Sequence, residues 1–459
     1  MNVVRESQRS PAQWPDPWID GLPLVPMEKF FLNHDHPAHP MVFRVLLRFS
    51  GPVESSLFAA AFAAALKRQP LLSSVVDRHD SSPCWRPVAA LPGIQWRTGD
   101  AAAKELFRLP VAPIDVETNA GVRCIVCSTS TEGREELIVL AEFHHACCDG
   151  QGARQFLMDW VISYHHRVRG TTWKTLPLNA DQLLERSHYR TLQRPVGTWE
   201  GFRNLYVTVR GRTAHLPASS LETSGTEHLL ERVFSLEETV RFRAQLKLRG
   251  DRLNDLGLAA AFVTFSRSFP NQCRNRWLTV MHPVDLRWPS DKRTPACNRV
   301  GVTFLRRRPA DCDDPRHLLE SVRQEMRYIK ERYLGAEFLR GLAALDRSPW
   351  LLDRIQRGGW FTPTLQFTYL GNTTRILPDE IVGPGGLVRI ADLDLQHISG
   401  FMQRGPDVPI SLAVCETHQR ISVTARICGQ TLDGFGAKQF FDRFVHQLLE
   451  LGERSPNDR

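Results

Sequence analysis

The sequence predicts an α+β fold of two similar lobes, and three observations lead there. First, 459 residues with 42% hydrophobic side chains and no low-complexity tract exceed what one core ordinarily holds. Second, in both halves short runs of strand character alternate with longer runs of helical apolar period, the pattern of sheets flanked by helices. Third, residues 170–225 carry Pro177, Pro195 and Pro217, end Ser/Thr-rich and show no long period, so they read as connection. The expected division is a first lobe over 1–195, a linker over 196–225 and a second lobe over 226–459. Each lobe is expected to be a mixed, mainly antiparallel sheet with flanking helices.

Along the chain, residues 1–40 are Pro-rich and irregular, with Phe30-Phe31 as an anchor to the body. Met41–Ser50 is a β-type run, and Glu54–Arg68 has the apolar period of a helix. Short strands are expected at Leu72–Asp77, Pro83–Val88, Val122–Ser128 and Leu137–Phe143, the last nearly unbroken in apolar character, as in a strand covered on both faces. Helix Ala153–Val168 comes next, with Phe156, Leu157, Trp160, Val161 and Tyr164 on one stripe. In the second half a strand at His228–Phe234 precedes a helix opened by the capping box Ser235/Glu238. Helices at Leu253–Ser268, Pro315–Tyr333, Ala336–Leu345 and Phe435–Leu451 are interleaved with strands at Arg276–Met281, Val300–Arg306, Thr364–Tyr369, Leu387–Leu395, Ile410–Cys415 and Ile421–Ile427.

Composition narrows the functional classes. The net charge of +8 is spread along the chain, which fits an anionic partner. No zinc-finger spacing, basic aromatic-laced helix or other nucleic-acid module occurs, so nucleic acid is not an expected partner. The first twenty residues hold charges and three prolines where a signal peptide has an apolar core, and no run approaches ~18 uncharged apolar residues. A cytoplasmic protein is expected, with peripheral contact to a membrane surface left open. The ten cysteines are irregularly placed and form no disulfide framework. Cys124 and Cys127 are three apart in a strand, hence on opposite faces, and read as packing. His34, His36 and His39 are interrupted by Pro37 and Pro40 and read as loop, so no metal is expected.

One short motif carries chemistry: His144-His145-Ala146-Cys147-Cys148-Asp149-Gly150. It falls between a buried strand and a helix, where a scaffold holds an imidazole rigidly at the edge of a cleft. A neutral histidine there takes a proton from a hydroxyl or amine as it attacks a carbonyl, without a covalent enzyme intermediate. Adjacent residues of a strand point to opposite sides, so His144 and His145 do not both face one substrate, and one is structural. Asp149 either orients the histidine or turns away to pair with a cation. His282-Pro283-Val284-Asp285-Leu286-Arg287 supplies such a cation in the other half, and a bidentate Asp149–Arg287 pair would clamp the lobes. Cys147 and Cys148 read as packing rather than as a nucleophile. No GxSxG, Walker A or GxGxxG segment is present.

These residues resemble the superfamily that includes chloramphenicol acetyltransferase, nonribosomal-peptide condensation domains, polyketide-associated acyltransferases, wax ester synthases and alcohol acetyltransferases. His144–Gly150 matches the active-site motif in full, and Pro283–Arg287 looks like a second family segment. Leu57–Leu72, Asn298–Gly301 and Phe367–Asn372 match more thinly, the last with Thr368-Tyr369 where the family has Ser-Asn. The resemblance implies two chloramphenicol-acetyltransferase-like lobes with an active-site tunnel between them. It implies a general base at His145, with His144, Asp149 and Gly150 completing the catalytic motif and Arg287, Asp285 and Asn298 shaping the site. It also implies no permanently bound cofactor. Acyl-CoA or a phosphopantetheinyl thioester, the latter on an acidic acyl carrier protein, would be co-substrate, with an alcohol or amine as acceptor. A freestanding condensation enzyme joining carrier-bound substrates and a non-catalytic binding homologue are the alternatives.

Overall fold

Two six-stranded sheets, one per lobe, carry the architecture of the computed structural model. The structure describes residues 19–78, 82–106, 109–131, 134–173, 177–189, 212–216, 227–345, 363–405 and 408–453. The expected linker, 196–225, lies largely outside them.

The first lobe opens with strand β1 (Leu22–Pro23) and helix α1 (Pro26–His34). Pro26 presets the helical φ at the first position, and Glu28 reaches back to accept the Val25 N–H at 3.0 Å. The sequence pattern predicts an irregular path over 1–40; nine helical residues hold too few turns for a period to show. Next come β2 (Val42–Ser50), α2 (Ser55–Lys67), β3 (Ser74–Asp77), β4 (Cys84–Pro87), β5 (Ile94–Thr98), α3 (Asp100–Leu106), β6 (Val122–Thr131), β7 (Arg134–His144) and α4 (Gly150–Arg169). Strand β7 is covered on both faces, Leu137 to Phe143 being at most 3% exposed. Its one buried acid, Glu142, stands directly opposite Arg44 of β2 and Arg123 of β6, whose guanidinium nitrogens lie 2.6 and 2.5 Å from it. Removing either arginine would strand a buried carboxylate.

The second lobe runs through β8 (Glu227–Val233), α5 (Leu236–Arg249), α6 (Leu253–Ser268), β9 (Leu278–Asp285), β10 (Val300–Arg307), α7 (Pro315–Glu331), α8 (Gly335–Leu345) and β11 (Leu365–Asn372). It continues with β12 (Arg389–Ile390), β13 (Leu393–Phe401), β14 (Ile410–Glu416), β15 (Ile421–Cys428) and α9 (Gly434–Glu453). The Ser235/Glu238 capping box opens α5, its two bonds being 3.0 and 2.6 Å. The sheet order is β10-β9-β11-β14-β15-β8, antiparallel except that β11 runs parallel to both neighbours.

The first sheet has the order β12-β13-β2-β7-β6-β5. Its first two strands come from the stretch that the sequence pattern allots to the second lobe. Strand β13 pairs antiparallel with β2 from Asp394↔Ser50 to Phe401↔Arg44, with a bulge between Leu395 and His397. The bulge breaks the two-residue alternation, which is why the pattern places this strand early, at Leu387–Leu395. Side chains of β15 hold the crossing strand to the second sheet: Ser422 donates to the Ile398 carbonyl at 2.7 Å and Thr424 to the Gly400 carbonyl at 2.5 Å. A strand lent by one lobe to the other's sheet keeps the two from parting freely.

Candidate functional site

Strand β7 ends at His144, and two backbone bonds aim the chain as it leaves the sheet. The His144 N–H donates to the Gly121 carbonyl at 2.9 Å and the His145 N–H to the Met41 carbonyl at 2.7 Å. Gly121 is required there, because a Cβ would lie 2.0 Å from the Cys147 sulfur. Helix α4 then starts at Asp149, whose carboxylate accepts the N–H groups of Gln151 and Gly152, an N-cap worth ~1 kcal/mol. Gly170, at φ 64°, closes the helix in the left-handed conformation.

The two histidines point to opposite sides. His144 is fully buried and does not line the cavity. Its Nδ1 accepts the Ala146 N–H at 3.1 Å, which places the ring proton on Nε2, 3.3 Å from an Asp35 carboxylate oxygen. Asp35 also accepts the Met41 N–H at 2.7 Å. Burial pushes its carboxyl upward, but the bonds from His144 and Met41 outweigh it and hold the group below the usual range. Sequence reasoning misses Asp35, although it lies inside the His34–His39 run, because metal ligation is the only role that run suggests.

His145 faces the cavity. Its ring stacks on Phe31, with centroids 4.0 Å apart and 18° between planes, and meets the edge of Phe43 at 5.2 Å. Burial drives its pKa down to about 4; its own backbone, the charge of Asp149 and Asn298 act the other way and do not offset it. The imidazole is therefore neutral near pH 7.

Asp149 and Arg287 form a bidentate pair, both bonds 2.8 Å, across the two lobes. Asp149 also accepts the Arg299 N–H at 2.8 Å. Arg287 reaches the Cys297 carbonyl at 2.9 Å and Asp285 at 3.2 Å. Burial raises the Asp149 pKa, but the Arg287 charge and the N–H donors prevail and keep it depressed. Asn298 donates to the carbonyls of His145 and Ala146 at 2.7 and 2.9 Å. Gly150 lines the cavity beside Leu370, whose Cδ2 would lie 3.1 Å from an added Cβ. Cys147 and Cys148 are fully buried, absent from the cavity wall, and have thiols pushed far up by burial. Among the described residues no group of three or more His, Cys, Asp or Glu side chains is arranged to hold a metal.

The cavity measures about 770 Å³ and takes its wall from both lobes, including Phe31 and Phe43 from the first and Val300, Phe304 and Phe338 from the second. A second hollow of about 830 Å³ shares Pro283, Asp285, Arg287 and Tyr369 with it and carries Lys247, Arg252 and Lys330. No described helix is long and apolar enough to cross a membrane.

No family model matches the chain, and no curated protein sequence matches it. Solved structures do. The first condensation domain of the CDA synthetase aligns at TM-score 0.67, with 16% identity, over 94% of this chain and 96% of its own. The chain has the condensation-domain fold. A starter condensation domain of rhizomide synthetase, solved as a double mutant with C8-CoA and Leu-SNAC, aligns at TM-score 0.66 and 13% identity over 95% of both chains. An epimerization domain of tyrocidine synthetase aligns at 0.63 and 16% identity over 95% of this chain and 97% of its own. In the condensation-domain fold the lobes are chloramphenicol-acetyltransferase-like, and here the His144–Gly150 segment lies where they meet.

Proposed function

We propose that the chain transfers an acyl group from a thioester to a hydroxyl or amine, with His145 as general base. The observation that carries this reading is a neutral imidazole, braced on Phe31 and opening into a mainly apolar cavity walled by both lobes. In the reaction the acceptor X–H attacks the thioester carbonyl while His145 takes its proton. The tetrahedral intermediate then expels the thiolate, and the histidine returns the proton to sulfur. Binding both substrates together supplies much of the rate. His144 is a positioning residue held by Asp35, while Asp149, Arg287 and Asn298 fix the loop that carries the base. The basic hollow beside the cavity suits the phosphates of coenzyme A or of a carrier-bound phosphopantetheine. A condensation domain solved with C8-CoA and Leu-SNAC supports acyl transfer as the reaction class.

The test is thioester turnover with acyl-CoA donors and pooled alcohols and amines, comparing wild type with His145→Ala. Loss of turnover in a folded variant is expected; unchanged turnover refutes the role of His145. Turnover with an acylated carrier protein but not with the CoA thioester would identify a freestanding condensation enzyme. Absence of turnover with every donor, alongside retained ligand binding, would identify a binding homologue.

A further inference from the structure

Six arginines are buried in the described structure, and each has a carboxylate partner: Arg44 with Glu142, Arg186 with Glu28, Arg299 with Asp291, Arg307 with Glu325, and Arg404 and Arg426 with Glu227. Arg287, slightly more open, has Asp149. Arg154, which is partly buried, has no such partner. It projects from the second turn of α4 into the wall of the His145 cavity. Among the described residues it makes no hydrogen bond and no ion pair, and its Nε is sealed from solvent without a partner.

The surroundings argue against a structural role for this side chain. Burial disfavours its charge most, and the like charge of Arg287 adds to that. The N-terminal end of a helix is also the positive end of its dipole, where a cation is poorly placed. Asp285 and Asp149 offset part of the cost at a distance, yet neither bonds the Arg154 side chain. Asp149 is saturated by Arg287 and three backbone N–H groups. Asp285 accepts from the backbone N–H and Nη1 of Arg287. A guanidinium presents five donors in a planar fork that matches a carboxylate. An unsatisfied buried donor in a folded protein asks for a reason, and here the guanidinium lines the cavity that His145 faces.

We propose that Arg154 receives a carboxylate carried by one of the two substrates, which supplies the acidic partner the fold withholds. The acyl-transfer reading enters only in deciding which molecules to try: a donor with an acid at the far end of its acyl chain, or an acceptor with a free acid group.

The test is equilibrium binding to the full chain by calorimetry, with two matched pairs of probes. The donor pair is S-octyl-coenzyme A and S-(7-carboxyheptyl)-coenzyme A, thioethers that cannot be turned over. The acceptor pair is leucine and leucinamide. In one pair the carboxylate member is expected to bind about 10- to 100-fold more tightly, the range for a charge-assisted bidentate contact, and Arg154→Gln should reduce that preference to about 2-fold or less. Arg154→Lys should retain part of it, since the charge stays and the fork is lost. The ligand-free Arg154→Gln protein should unfold at a higher temperature than wild type, because a charge that burial disfavours and no side chain bonds has gone. No preference in either pair, no measurable binding of any probe, a preference that survives Arg154→Gln, or a lowered unfolding temperature each overturns the inference. Because the probes are inert, a failed turnover assay with intact carboxylate preference refutes acyl transfer and leaves this site standing.

Discussion

Replacing Asp149 by Asn should damage the fold as much as replacing it by Ala, and the reason is the wiring of the two carboxylate oxygens. Oδ1 accepts from Gln151 N, Gly152 N and Arg287 Nη2; Oδ2 accepts from Arg299 N and Arg287 Nη1. An asparagine keeps most bonds with its oxygen toward the first set, so its amide N–H₂ must face Arg299 N and Arg287 Nη1, donor against donor. Arg287 is meanwhile left with only the exposed Asp285, 3.2 Å away, as counter-charge. Removing one partner of such a pair costs about 3 to 5 kcal/mol, and each orphaned buried donor about 1 to 3 kcal/mol. Asp149→Ala relieves the donor conflict but adds the lost helix cap, ~1 kcal/mol. Both variants should therefore lose roughly 4 kcal/mol in urea unfolding followed by circular dichroism, with Arg287→Ala close behind. The double variant Asp149→Ala/Arg287→Met should recover part of the loss, since both charges leave together. A cost below about 1 kcal/mol for Asp149→Asn, or full additivity in the double variant, would refute a dry, tightly coupled pair.

Other outcomes rest on the same geometry. His145→Ala should lower thioester turnover roughly 100- to 10,000-fold at a cost in stability of about 1 kcal/mol for the lost ring contacts with Phe31 and Phe43; a variant too unstable to fold would recast His145 as structural. The pH dependence has a definite sign. His145 and His282 are both depressed from 6.5 to about 4, in each case chiefly by burial. The unfolded chain then binds more protons between those values, so stability is full above pH 6.5 and falls toward pH 4, by roughly 3 kcal/mol per histidine. His282→Phe should flatten that slope in urea titrations at stepped pH, and a slope of the opposite sign would contradict the burial of both rings. Cys147→Ala and Cys148→Ala should each cost about 1 to 2 kcal/mol of packing while leaving turnover measurable, and abolition of turnover in a folded Cys variant would revive the thiol nucleophile. Asp35→Asn should weaken turnover by loosening His144, read as a fall in kcat with KM little changed.

What the sequence reveals and what it hides divide along one line. Strand β7 and helix α4 are legible because each is a local pattern, an apolar run and then a stripe opened by an Asp-Gly start. The link between Asp149 and Arg287, 138 positions apart, can be framed only because a carboxylate turned away from the histidine seeks a cation and the second half offers a segment resembling a known one. Asp35 is hidden because its partner, His144, is 109 positions away and nothing in the run His34–His39 announces which side it faces. The lending of β13 to the first sheet is hidden for the same reason: alternation identifies a strand but not its neighbour. Arg154 is plain in the sequence; that its Nε is sealed without a partner is a property of the tertiary structure alone.

The bracing of His145 has a consequence for how the lobes act together. Met41 on the first lobe accepts the His145 N–H, and Asn298 on the second donates to the carbonyls of His145 and Ala146. The backbone on both sides of the imidazole is thus held from opposite lobes, while Phe31 restricts rotation of the ring. Separating the lobes would free the Asn298 contacts and the Asp149–Arg287 pair at once, since both reach from the stretch between β9 and β10 to the same loop. Preorganisation of the proposed base is therefore a property of the paired lobes and not of the motif alone. Strand β13, paired with β2 of the first lobe and bonded by Ser422 of the second, is a further tie between them.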